Sequence, residues 1–72
     1  MTLNDLSVGK EAVISAVNGE GALRLRLLDM GLIPGTKVKV IKIAPLGDPI
    51  EIMLRGYELS LRKADAEMIE VE

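Results

Sequence analysis

Residues Arg24 to Thr36 read Arg-Leu-Arg-Leu-Leu-Asp-Met-Gly-Leu-Ile-Pro-Gly-Thr, and within them one periodicity ends and another begins. Up to Met30 the spacing is helical: Leu23, Leu27 and Met30 recur at i, i+4 and i+7 and share one face. Gly31 follows at once, at the position past a helix end where a left-handed backbone suits a residue without a side chain. Leu32 stands where an apolar residue folds back onto Leu27. Pro34-Gly35 supplies the fixed φ and then the positive φ of a type II turn. The chain leaves into a strand over Thr36 to Ala44, whose first part, Thr36 to Val40, alternates as a half-buried strand does. A helix, a left-handed stop, a tight turn and a strand launched in so short a span predict a β fold that carries one short helix.

The flanking sequence fits that frame. Leu3 and Leu6 are expected to pin an N-terminal arm to the core, and Ser7 to Lys10 to form a turn. Glu11 to Val17 reads as a strand whose buried face the pattern leaves open. Asn18 to Gly21 breaks it and opens the helix. In the second strand Val38 and Val40 hold one parity, then Ile41 and Ile43 take the other, which predicts a bulge or a barrel corner. After the loop Pro45 to Pro49, Ile50, Ile52 and Leu54 are expected inward. Arg55-Gly56 makes a two-residue hairpin turn, with Tyr57, Leu59 and Leu61 inward on the returning strand. Lys63 to Glu67 allows one helical turn, and Met68 to Val71 a last short strand. The expectation is one domain over residues 1–72: mainly β, a closed or nearly closed small barrel of about five strands, with one short helix after the first. Gly31, Pro34, Gly35 and Gly56 are expected to be structural, as is Tyr57, with its ring inward and its hydroxyl paired at the barrel rim.

Composition narrows the chemistry. With no histidine, no cysteine and no tryptophan among 72 residues, the usual nucleophile–base constellations are missing, and no enzyme is expected. Glu51 and Glu58 sit outward on facing hairpin strands, where acids serve solubility far more often than catalysis. No cofactor is expected. Tyr57 is the single aromatic, so base-stacking platforms are absent and the net charge of −2 has the wrong sign for nucleic-acid binding. Met1 to Asp5 carries no signal-peptide pattern, and no apolar run approaches the roughly 20 residues of a bilayer span. A cytoplasmic protein without direct membrane insertion is expected. Charge is uneven along the chain. Residues 21–42 hold Arg24, Arg26, Lys37, Lys39 and Lys42 against Asp29 alone, and residues 43–72 are net acidic.

Arg26-Leu27, Met30-Gly31-Leu32, Pro34-Gly35-Thr36 and Val38-Lys39-Val40 closely resemble the FeoA family, a small cytoplasmic component of bacterial ferrous iron transport. Arg55 to Arg62 and Ala66 to Val71 resemble that family's closing segments in the same order, so the resemblance runs from about Leu6 to Glu72. It implies an SH3-like barrel with a helix after the first strand. It also implies a non-enzymatic accessory role: docking on the cytoplasmic GTP-binding part of a FeoB-like membrane iron transporter. The alternative is a self-associating structural adaptor, a possible homo-oligomer, or a transition-metal-binding module related to the C-terminal domain of DtxR-type repressors. Met1 stands just before the domain's own arm, so the version fused behind a DNA-binding domain is not expected. The family's link with iron directs attention to Asp65, Glu67, Glu70 and Glu72, a charged terminus without imidazole or thiolate, and no metal site is expected there.

The helix itself suggests a docking surface. At 100° per residue Leu25 and Leu28 lie roughly opposite the Leu23–Leu27–Met30 stripe, whereas a helix packed on a small barrel needs one apolar stripe. Leu25 and Leu28 are therefore expected to centre a partner-binding patch, with Arg24 and Lys37 or Lys39 as its basic rim.

Overall fold

The computed structural model describes residues 1–72. After a 3-10 turn at Leu3–Asp5 come β1 (Glu11–Val17), α1 (Gly21–Asp29), β2 (Lys37–Ile43), β3 (Ile50–Leu54), β4 (Tyr57–Leu61), α2 (Lys63–Ala66) and β5 (Ile69–Val71). The strands form one antiparallel sheet in the order β4-β3-β2-β1-β5. This is the mainly β architecture of about five strands with one short helix after the first that the pattern predicts.

Two strands change face through bulges. In β2 the pairing with β3 steps from Val40↔Ile52 to Lys42↔Glu51, so Ile41 is the extra residue. That is the parity switch visible in the sequence. β1 carries a second one: Ile14 pairs with Val71 and Ala16 with Glu70, leaving Ser15 unpaired. Ala12 and Ile14 are buried before it and Val17 after it, which is why simple alternation could not orient this strand.

The core is aliphatic. Val38, Val40, Ile50, Ile52, Leu54, Leu61 and Ile69 from the sheet meet Leu3, Leu27 and Leu32, all at 2% exposure or less. Each such side chain contributes about 1.5–3 kcal/mol relative to leaving it in water. Leu3 and Leu6 do pin the arm. The arm also covers the outer edge of β5: Thr2 bridges Glu70, and the Val71 N–H donates to the Met1 carbonyl at 2.9 Å.

Of the closed or nearly closed barrel expected, the structure takes the second form, because strand pairing does not run all the way round. β4 and β5 end the sheet without meeting, and α2 links them. A chain of this size has strands of only three to seven residues, and the last of them, β5, pairs instead with β1 and the arm.

Leu54 pairs with Tyr57 across Arg55-Gly56, whose φ values of 50° and 83° are those of a type I′ turn. Gly56→Ala leaves no clash, since nothing lies within 4 Å of the added methyl group, so backbone strain alone acts. It is expected to lower the unfolding free energy by about 1 kcal/mol, read as a lower urea midpoint at unchanged slope.

Candidate docking surface

α1 is held by one buried residue and a set of polar cross-links. Leu27 alone is fully buried, while Leu23, Leu28 and the following Met30 pack against the core from partly exposed positions. The helix ends as the sequence predicts. The Leu32 N–H donates to the Leu27 carbonyl at 3.2 Å and the Gly31 N–H to the Leu28 carbonyl at 3.0 Å, the two bonds of a Schellman stop. Gly31 has φ +97° and Gly35 +94°. The Thr36 N–H closes the Pro34-Gly35 turn on the Ile33 carbonyl at 3.0 Å.

Three side-chain contacts fix the helix laterally. Arg24 Nε–H donates to the Val17 carbonyl at 3.1 Å, tying the first turn back to the end of β1. Arg26 donates to Asp65 Oδ1 at 3.1 Å, the single ion pair of the molecule, and joins α1 to α2. The Tyr57 hydroxyl donates to the Met30 carbonyl at 2.6 Å, joining the helix end to β4. A neighbouring contact, Arg55 to Thr36 Oγ1 at 3.2 Å, fastens the turn after the helix to the same hairpin. The partners in these four contacts were not legible in the sequence, which predicts only that the Tyr57 hydroxyl is paired, since each joins residues at least seven positions apart without a periodic signal.

Tyr57 keeps the predicted face and its hydroxyl finds a partner, but the ring is not buried. The residue is 43% exposed, because the start of an edge strand has a neighbour on one side only. Leu25 is 60% exposed on the outward side of α1. Leu28 is half-buried and packs on the core, so it forms the margin of an outward stripe and not its centre. Leu28 is next to Leu27, the buried residue of α1, and so touches the edge of the core as well. Arg24 borders the stripe with its guanidinium engaged by Val17.

Lys37 and Lys39 point outward from β2, opposite Val13 and between Glu11 and Met53. With Glu11, Met53 and Arg55 they line a depression of about 210 Å³ to which no residue of α1 contributes. A second depression, of about 290 Å³, is formed on α1 itself by Ala22, Leu23 and Arg26. The two lysines thus lie in a concavity apart from α1, and Leu25 and Leu28 line neither depression. No group of three or more acidic, histidine or cysteine side chains comes together, and Asp65 is turned to Arg26. No helix is long and apolar enough to cross a membrane.

Comparison with known proteins places this geometry. The chain is 44% identical over its full length to a stretch making up 8% of an Fe(2+) transport protein A/Fe(2+) transporter FeoB fusion protein of Porphyromonas gingivalis. It is 35% identical over 71 residues to a Campylobacter jejuni protein described as an Fe(2+) transport protein A, covering 99% of this chain and 96% of that one. The solution structure of FeoA from Chlorobium tepidum is 46% identical and superposes at a TM-score of 0.91, over 100% of this chain and 69% of that one. Zinc-complexed FeoA from Stenotrophomonas maltophilia, described as a procaryotic SH3 domain protein, is 26% identical at a TM-score of 0.88, over 100% of this chain and 89% of that one. IdeR of T. acidophilum shares the fold at 22% identity and a TM-score of 0.86, over 99% of this chain and 32% of that one. The FeoA domain model matches residues 1–72, and with the SH3-like sheet and the helix after its first strand, the chain belongs to the FeoA family.

Proposed function

We propose that this domain is a non-enzymatic accessory of ferrous iron transport that docks on the cytoplasmic part of a FeoB-type transporter through the outward stripe of α1. The observation that carries the reading is the fusion relative, in which a stretch 44% identical to all of this chain shares one polypeptide with a transporter. Two modules joined in one chain work at high effective concentration, and the same pair supplied as separate chains needs a surface that replaces the tether. Leu25, at 60% exposure and bordered by Ala22 and the margin of Leu28, is the apolar element of α1 that the fold itself does not use. Arg24 flanks it, while Lys37 and Lys39 offer charge on the sheet face for steering towards an acidic partner. Docking of this kind acts by favouring one state of the partner over another, and its effect is bounded by the difference in affinity for the two.

The test is a calorimetric titration of this protein into the cytoplasmic part of a FeoB-type transporter, with and without GTP. Leu25→Glu is expected to weaken binding at least tenfold, about 1.4 kcal/mol, while the melting temperature stays within about a degree. Leu28→Glu is not a clean probe, because it places a charge against the core. Absence of binding by the unaltered protein overturns the docking reading. Equal binding by Leu25→Glu moves the surface away from α1.

A further inference from the structure

The two edges of the sheet differ. The outer edge of β5 is covered by the arm, whereas nothing pairs with the outer edge of β4. Across a two-residue hairpin the pair flanking the turn, Leu54 and Tyr57, exchanges hydrogen bonds, and pairing then alternates. Tyr57, Leu59 and Leu61 therefore direct their N–H and C=O groups to β3, and Glu58 and Ser60 direct theirs outward. No turn, loop or cap bond engages the main chain of Glu58 or Ser60. Such an edge is a template for another strand.

We propose that the outer edge of β4 pairs with β4 of a second copy of this chain, antiparallel about a two-fold axis at Leu59. Alternation restricts the register. Only registers that set an outward residue against an outward residue form the ladder. Centring on Glu58 opposes two carboxylates. Centring on Ser60 sets Tyr57 against Lys63, which has already turned into α2. Centring on Leu59 uses the whole strand: Glu58 faces Ser60 of the second copy, Leu59 faces Leu59, and Tyr57 faces Leu61. The half-exposed Tyr57 and Leu59 then cover each other's flanks on one face. On the other face each Glu58 lies diagonal to Arg62 of the second copy, within reach of a long side chain. Neither Glu58 nor Arg62 has an ion-pair partner within its own chain. That charge complementarity selects a second copy of this chain as the occupant. It makes the contact isologous and closed, a dimer and not a filament. The strand is short, so the dimer is weak and fills with concentration.

Sedimentation equilibrium from about 10 μM to about 1 mM reads the association, and amide exchange at both ends of that range reads its location. The expected result is a weight-average mass rising towards twice the monomer, with the Glu58 and Ser60 amides slowed at least severalfold at the upper concentration. Glu58→Arg is expected to hold the protein monomeric, and Glu58→Arg combined with Arg62→Glu to restore the rise. Ser60→Pro removes only an outward N–H, as edge strands tolerate, so it is expected to keep the far-UV spectrum and lose the association. A mass that stays monomeric to the upper concentration overturns the proposal. So does association that leaves the Glu58 and Ser60 amides unprotected or that the charge exchange fails to restore. The result stands apart from the docking test, which varies Leu25 and measures a different partner.

Discussion

Gly31→Val lowers the unfolding free energy by about 2–3 kcal/mol, the sum of two separable costs. The backbone at φ +97° lies where a β-branched residue is a steric outlier, worth about 1–2 kcal/mol. An added Cβ would stand 2.5 Å from the Tyr57 hydroxyl oxygen, so the ring has to move. Moving it breaks the 2.6 Å bond to the Met30 carbonyl, at about 1 kcal/mol. A domain of this length has roughly 4–11 kcal/mol of stability in all, so the variant is expected to melt about 8 °C lower or more. Tyr57→Phe separates the terms, because it removes the hydroxyl that the new side chain strikes. In a double-mutant cycle Gly31→Val is then expected to cost about 1 kcal/mol less on the phenylalanine background. A melting point equal to that of the unaltered protein would show that the helix does not stop in this conformation.

Leu27→Ala is expected to cost about 2–5 kcal/mol, and to loosen the helix before the sheet. Leu27 has no solvent exposure and is the only buried residue of α1, while its neighbours on the helix contribute partial contacts. Arg26–Asp65 cannot replace it: the arginine side chain is 59% exposed, and ion pairs of that kind contribute about 1 kcal/mol or less. The amides of Arg26 to Met30 should therefore exchange by a local opening in the variant, while those of Val38, Val40 and Ile52 remain tied to global unfolding. Uniform loss of protection across helix and sheet would mean that α1 and the sheet unfold as one unit.

The parts of this fold that were legible in the sequence are those encoded by neighbours along the chain. Gly31 next to Leu32, Pro34 next to Gly35, and the change from Val40 to Ile41 each fix a local conformation, and each reappears in the structure. The hairpin at Arg55-Gly56 is of the same kind. What stayed hidden depends on what lies beside a residue in space. Alternation put Tyr57 on the inner face but could not report that β4 lacks an outer neighbour, so the ring's exposure was missed. Helical angle put Leu28 opposite Leu23 but said nothing of how closely α1 sits on the core. The bulge at Ser15 had no signature, because serine and Ala16 are small and fit either face. Of the residues proposed for docking, Leu25 was legible as outward through its angle from Leu27. The separation of Lys37 and Lys39 from the helix was not, because it follows from how strands are ordered in the sheet.

The bond from Val71 to Met1 has a mechanical consequence. Because the arm runs antiparallel along β5, both ends of the chain leave the fold at one point. A tether attached at either end therefore holds the domain as a pendant that swivels about a single anchor, and not as a link that transmits tension through its sheet. Pulling the two ends apart loads the arm's bonds one after another, as in a zipper, and peels Met1 and Thr2 away before any pair between β1, β2 and β3 carries load.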